Sequence, residues 1–381
     1  MPYRIKLDMP PAGYALSAAR GGENVQVTYR EFVSSEDGDV LVSRLEGFPS
    51  RVIERLPLSA QIKASTVDHL FVLIKKDGDC TVYANELEAI AKTRVRRAFK
   101  AGEPVFEHDI IDIDELKYEG LEVPEDVGVF VVLSKGWRKG LYYDLGPIQQ
   151  EAVRREYNLW KLLGSLYNYL LFQDLFKISD GEYEKLFASM WFPFLGLRSE
   201  TALRIVSHVR NGWNPDDLLG AVKGEVRELL PNAIKRWKLH SLLSQHSQFF
   251  DRAIERFYEE DYISCSSILY PRIEGILRSI ACKTGVPYKQ SGLSEAPMSI
   301  LYKDPETFSR VLPFRFREYL RTVYFKKFEP DRVEHISRNT IAHGLAPQDL
   351  FTEKAAVIAI LIIEQIFFHF PSEGSQPLAT E

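Results

Sequence analysis

The residues with the clearest chemical potential form one short stretch, Arg338-Asn339-Thr340-Ile341-Ala342-His343-Gly344. An arginine guanidinium binds phosphate oxygens through paired hydrogen bonds. A histidine imidazole transfers a proton near neutral pH. An arginine placed five residues before a histidine, with the amide of Asn339 beside it, therefore fits chemistry on a phosphate group.

The spacing alone carries no weight. With 27 Arg and 8 His among 381 residues, an Arg-x4-His match arises about 0.5 times by chance in a chain of this composition. The surroundings are more informative, because a basic segment precedes the stretch and an apolar helix candidate follows it, from about Pro347 to Phe370. Structural roles stay open: Arg338 can pair with Glu334 four residues earlier, and His343 can end a helix.

The basic segment extends from Arg310 to Lys327 and contains six basic residues against one acidic residue, Glu318. The candidate RNA-binding residues in it are Arg315, Arg317, Arg321, Lys326 and Lys327. The aromatic residues interleaved with them are Phe314, Phe316, Tyr319, Tyr324 and Phe325. Positive charge with aromatic rings is typical of a surface that follows a nucleic-acid backbone and stacks bases. The alternative is an amphipathic helix whose aromatic residues lie in the core.

The overall composition predicts a soluble chain of two or three domains. The net charge of −5 gives no global basic field, so nucleic acid must bind a local patch. Three scattered cysteines, without a CxxC pair, argue against a disulfide framework and a zinc site, and favour the cytoplasm. We expect no cofactor and no metal. We also expect no membrane span, since the longest apolar run, Ala355 to Ile363, has only nine residues.

The pattern predicts an α+β, multidomain fold, with a β-rich N-terminal domain of unknown role over residues 1–145. Short runs of β-branched and aromatic residues, separated by Gly, Pro and Asp-Gly steps, indicate its strands. The predicted strands are Tyr3–Leu7, Val25–Val33, Val40–Leu45, Val67–Lys75, Thr81–Ala84, Val105–Ile113 and Val127–Ser134. Asp37-Gly38 and Asp77-Gly78 are hairpin-turn candidates. One helix is predicted from Asn85 to about Lys100.

The rest of the chain has helical periodicity. Residues 146–238 are predicted to be a helical connecting region, and residues 372–381 a flexible tail. The predicted helices are Ile148–Phe176, Asp180–Leu197, Glu200–Val209, Asn214 to about Leu230, Leu239–Glu260, Ile263–Lys283, Pro305 to about Lys327 and Asp331–Ser337, with the apolar helix last. Pro231 is expected to stop one of these helices, and Pro271 to kink another.

The C-terminal helices with the RNxxxH stretch resemble the HEPN superfamily (higher eukaryote and prokaryote nucleotide-binding domains). The run Tyr270-Pro271-Arg272-Ile273-Glu274-Gly275-Ile276-Leu277-Arg278 also resembles the second helix of some HEPN families, which carries an acidic residue facing the site. The resemblance implies that residues 239–371 form a HEPN-like helical bundle with Arg338, Asn339, His343 and Glu274 as its catalytic residues. Glu274 can instead be a structural partner of Arg278, which lies four residues further on.

HEPN proteins are often metal-independent endoribonucleases. These nucleases act as homodimers in which two motifs face one cleft. The resemblance therefore implies RNA cleavage by attack of the 2′-OH, with His343 moving protons and Arg338 stabilising charge. It also implies a homodimer formed through the HEPN-like domain, a toxin or antiviral defence role, and an antitoxin or regulatory partner at the N-terminal domain. The alternative is a non-catalytic HEPN-type protein that binds RNA or nucleotides, or that dimerises, without cutting.

Overall fold

The computed structural model describes residues 2–8, 11–327 and 333–371. These residues divide into two compact units. The first unit lies within Met1–Arg94 and Ile113–Gln173, and the second lies within Val95–Asp112 and Asp174–Glu381. The N-terminal part contains a β-sheet region and the C-terminal part is helical, as the sequence predicts. None of the helices in the described part combines the length and apolar character that a membrane span needs.

The first unit contains a six-stranded antiparallel sheet in the order β1-β6-β5-β9-β10-β4. Its strands are β1 Tyr3–Lys6, β4 Arg30–Ser34, β5 Leu70–Ile74, β6 Asp79–Ala84, β9 Gly128–Lys135 and β10 Arg138–Asp144. Two further pairs of strands are β2 Tyr14–Ala15 with β3 Val27–Thr28, and β7 Ala89–Val95 with β8 Ile110–Tyr118. The turn at Asp77-Gly78 joins β5 to β6 as predicted, and Gly78 has a φ of +86°.

Helix α1, Asp39–Glu54, covers one face of this sheet. Its buried residues Leu41, Leu45, Phe48 and Val52 follow helical spacing and pack against alternate residues of the strands. Helix α2, Leu159–Leu171, packs against β9 and β10, and Leu170 lies close to Gly140 on β10. The sheet is therefore buried on both faces, which explains why β9 is a continuous apolar run.

Three predictions for this unit are wrong. The predicted strand Val40–Leu45 lies in α1, and the Asp37-Gly38 step leads into that helix and makes no hairpin. The predicted helix from Asn85 to Lys100 is instead β7 and a following loop. Asn85 has a φ of +58°, which a helix cannot contain, and its side chain accepts hydrogen bonds from the backbone N–H groups of Asp68 and His69.

The second unit is helical. Its helices are α4 Asp180–Ala188, α5 Ser199–Arg210, α6 Leu219–Leu239, α7 Ser247–Tyr258, α8 Tyr262–Thr284, α9 Gln290–Ser299, α10 Pro313–Tyr319, α11 Arg338–Ala342 and α12 Glu353–Phe367. A four-residue helix, α3 Gln173–Phe176, begins where the first unit ends, and α10 continues into a π-helix over Leu320–Tyr324. Nearly every residue of α12 is buried, and it packs against α6 and α8.

Several helix boundaries differ from prediction. The helix predicted from Ile148 begins at Leu159, where Asn158 caps it, and the helix predicted from Pro305 begins at Pro313. The helices predicted for Asp180–Leu197 and Leu239–Glu260 are shorter, and the last helix begins only at Glu353, after its cap Thr352. Of the predicted helix Asp331–Ser337, residues 333–337 are not helical and the others lie outside the described residues, as does the predicted flexible tail from 372.

The sequence predicts that Pro231 ends a helix. This prediction is wrong, because Pro231 lies inside α6. Proline has no N–H, so the carbonyl four residues earlier, that of Arg227, loses its helical donor. The Tyr258 hydroxyl on α7 donates to this Arg227 oxygen at 3.4 Å. A side chain from the neighbouring helix thus replaces part of the lost interaction.

A buried acidic group lies in the last turn of the apolar helix α12. Glu364 is fully buried, accepts a hydrogen bond from the Trp237 indole at 2.8 Å, and forms an ion pair with Arg236. A buried carboxylate is tolerated only when its charge is paired and its oxygens accept hydrogen bonds. The pair joins α6 to α12 inside this unit.

Replacement of Arg236 by methionine should therefore lower the free energy of unfolding by about 3–5 kcal/mol, because it removes the direct ion-pair partner of the buried Glu364. Urea denaturation measures the change. The double variant Arg236→Met/Glu364→Gln should recover most of the loss. Arg198→Met is the matched control, since its partner Glu228 is 69% exposed and such pairs contribute under about 1 kcal/mol. Equal losses for the two single variants would contradict a special role of the buried pair.

Candidate functional site

Helix α11 presents the residues that the sequence singles out. Ser337 caps its N-terminus: the Ser337 hydroxyl oxygen accepts a hydrogen bond from the Thr340 N–H at 3.2 Å, and the Thr340 hydroxyl oxygen accepts one from the Ser337 N–H at 2.9 Å. The first helical residue is then Arg338, and His343 ends the helix before Gly344, whose φ is +65°. The motif is thus a single short helix with both ends fixed by local hydrogen bonds.

Glu274 on α8 holds the Arg338 side chain. Its carboxylate is 8% exposed, and one oxygen accepts a hydrogen bond from the Arg338 Nε. The other oxygen accepts from the Arg278 Nε at 2.9 Å and lies 2.7 Å from the Arg278 Nη2. Glu274 is therefore the partner of Arg278, one of the two interpretations from the sequence, and it also holds Arg338. Two guanidinium groups against one carboxylate leave this cluster with an excess of one positive charge.

Asn339 holds the motif helix against the end of the basic segment. Its side chain is buried, and its Nδ2 donates to the carbonyl oxygens of Phe325 and Lys326, each at 3.1 Å. Its Oδ1 accepts from the Gln290 Nε2 at 2.7 Å and from the Arg338 Nη1 at 3.1 Å. The amide has all its hydrogen-bonding positions occupied by protein groups, so it positions Arg338 and does not face a ligand.

His343 is exposed at the C-terminal end of α11. Five residues of an α-helix turn through about 500°, so the side chains of Arg338 and His343 leave the axis about 140° apart and about 7.5 Å along it. Glu334 lies before the helix begins, and the ion-pair partner of Arg338 is Glu274. His335, the other histidine of this segment, is half-buried. Its burial is the main cause that lowers its pKa, and the positive charge of the nearby Lys326 lowers the pKa further.

The basic segment divides into core and surface. Four of its five aromatic residues are buried, namely Phe316, Tyr319, Tyr324 and Phe325. Tyr324 lies close to Glu274, and its hydroxyl donates to the carbonyl oxygen of Tyr270 on α8 at 2.6 Å, in an environment that raises its pKa through burial. The core interpretation therefore holds for these four side chains, while Phe314 is exposed.

Arg310 of this segment is buried, and the five candidate RNA-binding side chains fall into two groups. Arg315, Arg317 and Arg321 line one shallow pocket, where Arg315 pairs with Glu318 and Arg317 with Glu295. Lys326 and Lys327 are exposed and follow directly on the carbonyl group of Phe325 that binds Asn339. The two lysines therefore lie beside the motif helix and add positive charge there.

Sequence reasoning missed Gln290. It lies 49 residues before Asn339 and is the first residue of α9, yet its amide binds the Asn339 side chain. A glutamine in a loosely patterned connection carries no signal of this contact. The connection had no predicted helix, so nothing indicated that α9 would reach the motif.

Among residues 2–8, 11–327 and 333–371, no group of three or more His, Cys, Asp or Glu side chains is placed to hold a metal ion. No family model, no curated protein and no solved structure matches this chain. The site is thus characterised by its own geometry: a held guanidinium, an exposed imidazole and two exposed lysines.

The Asn339 contacts predict a specific effect of Asn339→Asp. This change keeps an oxygen for Gln290 but turns a carboxylate oxygen towards the carbonyl oxygens of Phe325 and Lys326. We expect the free energy of unfolding to fall by about 1–3 kcal/mol, with faster amide hydrogen exchange over 325–327 and 338–343. Urea denaturation and hydrogen-exchange mass spectrometry measure both effects.

The matched control for this experiment is Asn232→Asp, an exposed amide on α6 that should tolerate the same change. If Asn339→Asp were as stable as the wild type and exchanged no faster, the positioning role of Asn339 would be wrong.

Proposed function

We propose that this chain is a metal-independent endoribonuclease of HEPN type. The observation that carries the proposal is the position of Arg338, whose guanidinium is held by the buried carboxylate of Glu274 at the start of the short helix that ends in the exposed imidazole of His343. The local excess of positive charge from Arg278, Lys326 and Lys327 suits a polyanion. The net charge of the whole chain, −5, would not attract one.

RNA supplies its own nucleophile for this reaction. A neutral His343 imidazole takes the proton from a 2′-OH, the 2′-oxygen forms a bond to the adjacent phosphorus, and the bond from phosphorus to the 5′-oxygen breaks. A protonated imidazole gives its proton to the leaving 5′-oxygen. The products are a 2′,3′-cyclic phosphate end and a 5′-OH end. Arg338 stabilises the charge that develops on the phosphate oxygens, and Glu274 and Asn339 position Arg338.

The reaction uses one neutral imidazole as the base and one protonated imidazole as the acid, both at the same phosphate. Each chain presents one exposed imidazole in its motif. A homodimer with two motifs across one cleft supplies both. The divergence of Arg338 and His343 around α11 is compatible with this arrangement, because a phosphate lying between two motif helices meets groups from both. In this proposal His335 has no catalytic part, since it is half-buried and the positive charge of Lys326 opposes its protonation.

The resemblance that suggests this chemistry also suggests the biological setting. We propose a toxin or antiviral defence role in the cytoplasm, with RNA of the host or of a phage as the substrate. The β-sheet unit has no assigned chemistry, so we place there the contact with an antitoxin or a regulatory partner. A protein that binds RNA without cutting it is the alternative, and the cleavage experiment separates the two.

Purified wild-type protein should cleave RNA in the presence of EDTA and leave 2′,3′-cyclic phosphate ends. His343→Ala and Arg338→Ala should each lower the rate at least 100-fold, because they remove the proton transfer and the charge stabilisation. Gel analysis of total RNA and tRNA, with end-group mapping, measures this. His335→Ala is the matched control and should retain activity.

If wild type, Arg338→Ala and His343→Ala gave the same fragments in the same amounts, the catalytic assignment would be wrong. Binding of RNA by all three proteins without any cleavage would favour the non-catalytic alternative. Thermal denaturation of each variant should accompany the assay, because loss of Arg338 also removes a partner of the buried Glu274.

The composite site makes activity depend on dimerisation. Specific activity should fall as the protein is diluted below its dimer dissociation constant, which sedimentation velocity measures independently. Mixing an excess of inactive His343→Ala protein into wild type should lower activity by more than dilution does, since mixed dimers hold one imidazole. A monomeric wild type that cleaves RNA with unchanged specific activity at every concentration would contradict this part of the proposal.

A further inference from the structure

Two exposed aromatic side chains lie on either side of helix α9. Tyr288 is 51% exposed just before the helix, and Phe314 is 44% exposed in the first turn of α10. A single exposed ring is ordinary on a protein surface. These two differ because each lines a pocket that also contains at least one basic side chain.

The first pocket has a volume of about 800 Å³ and is open to solvent. Its lining residues are Pro287, Tyr288, Lys289, Ser291, Gly292 and Glu295. The backbone sets its shape: a Cβ at Gly292 would lie 2.1 Å from the Pro287 carbonyl oxygen, so only glycine lets α9 approach this loop so closely. Interaction with the Cys282 side chain raises the pKa of Tyr288.

The second pocket has a volume of about 210 Å³. It is lined by Phe314, Arg315, Arg317, Glu318 and Arg321. The Arg317 guanidinium lies 5.6 Å from the centre of the Phe314 ring, and its Nη1 lies 3.4 Å from a carboxylate oxygen of Glu295. Because Glu295 also lines the first pocket, the ion pair of Arg317 and Glu295 forms a wall that the two pockets share.

The motif helix adjoins the same surface. Gln290, which follows Lys289 in the chain, donates to the buried Asn339 at 2.7 Å. The first turn of α9 thus touches the motif on one side and the Tyr288 pocket on the other. A continuous surface leads from α11 along α9 to Phe314. Its basic residues are Lys289, Arg315, Arg317 and Arg321, and its acidic residues are Glu295, Glu318 and Asp180, which pairs with Arg315, so four positive charges face three negative ones.

We propose that this surface, which we call the α9 track, binds single-stranded RNA next to the cleavage site, with bases stacked on Tyr288 and Phe314. The inference rests on the proposed function and names its substrate class. Exposed rings beside basic side chains are the combination that binds unpaired bases and their phosphates together. The bases of a duplex are stacked on one another and offer no free face to such rings.

The test measures binding in a form of the protein that cannot cleave. In the full-length His343→Ala chain with EDTA, fluorescence anisotropy compares a labelled 12-nucleotide single-stranded RNA with a blunt duplex of the same sequence. Tyr288→Ala and Phe314→Ala should each weaken binding of the single strand about tenfold. Tyr288→Phe and Phe314→Tyr should bind like the parent, because they keep the ring.

Two controls separate stacking from general effects. Trp213, which is 59% exposed in the same unit but lines neither pocket, gives the matched control Trp213→Ala, and this change should leave binding unaltered. Lys289→Gln should reduce the slope of log K against log salt by about 0.7, the value for one phosphate contact on a single strand.

Equal affinity for duplex and single strand, or no effect of both alanine changes, would overturn the α9 track. So would the absence of RNA binding to the His343→Ala chain. None of these results decides the proposed function, because cleavage by the wild type and its loss in Arg338→Ala are measured separately. Cleavage of RNA without binding at the α9 track, and binding at the α9 track without cleavage, can therefore be told apart.

Discussion

The candidate site depends on a single buried carboxylate that accepts hydrogen bonds from two guanidinium groups. Glu274 would be costly to bury alone, and Arg278 and Arg338 provide the compensation. The consequence for function is geometric. A free arginine side chain samples many rotamers, whereas Arg338 has its Nε fixed by α8 and its Nη1 fixed by Asn339. A group that must meet developing charge at one place benefits from such preorganisation.

The same arrangement gives some of the proposed catalytic residues a role in stability and leaves another without one. Loss of Arg338 leaves Glu274 with one partner, and loss of Asn339 removes a donor from each of two carbonyl groups. His343 is exposed at a helix end, so its removal disturbs little packing. Of the four proposed catalytic residues, His343 is therefore the one whose loss reports on the proposed chemistry alone, and its variant is a suitable parent for binding measurements.

Much of this fold is readable from the sequence, and the errors have definite causes. Val40 and Val42 suggested a strand, yet both are exposed, and the helical spacing of Leu41, Leu45 and Phe48 decides the structure. Local patterns indicated where Arg338 and His343 lie but not what holds them. Glu274 was identified only through the resemblance of its segment to the second helix of some HEPN families. Gln290 was not found, because a contact across 49 residues is made by tertiary packing and leaves no local pattern.

The basic segment shows why one pattern supported two interpretations. From residue types alone, its aromatic residues fit a buried core as well as a surface that stacks bases. The helix start at Pro313 removes the ambiguity, because each residue then turns the side chain by about 100°. Phe316 and Tyr319, three apart, face the core, whereas Phe314 and Arg317, also three apart, share the exposed face. The core needs the first pair to hold α10 in place, and that placement brings the second pair beside α9. Burial of the other aromatic residues is thus the condition for Phe314 to be presented next to positive charge.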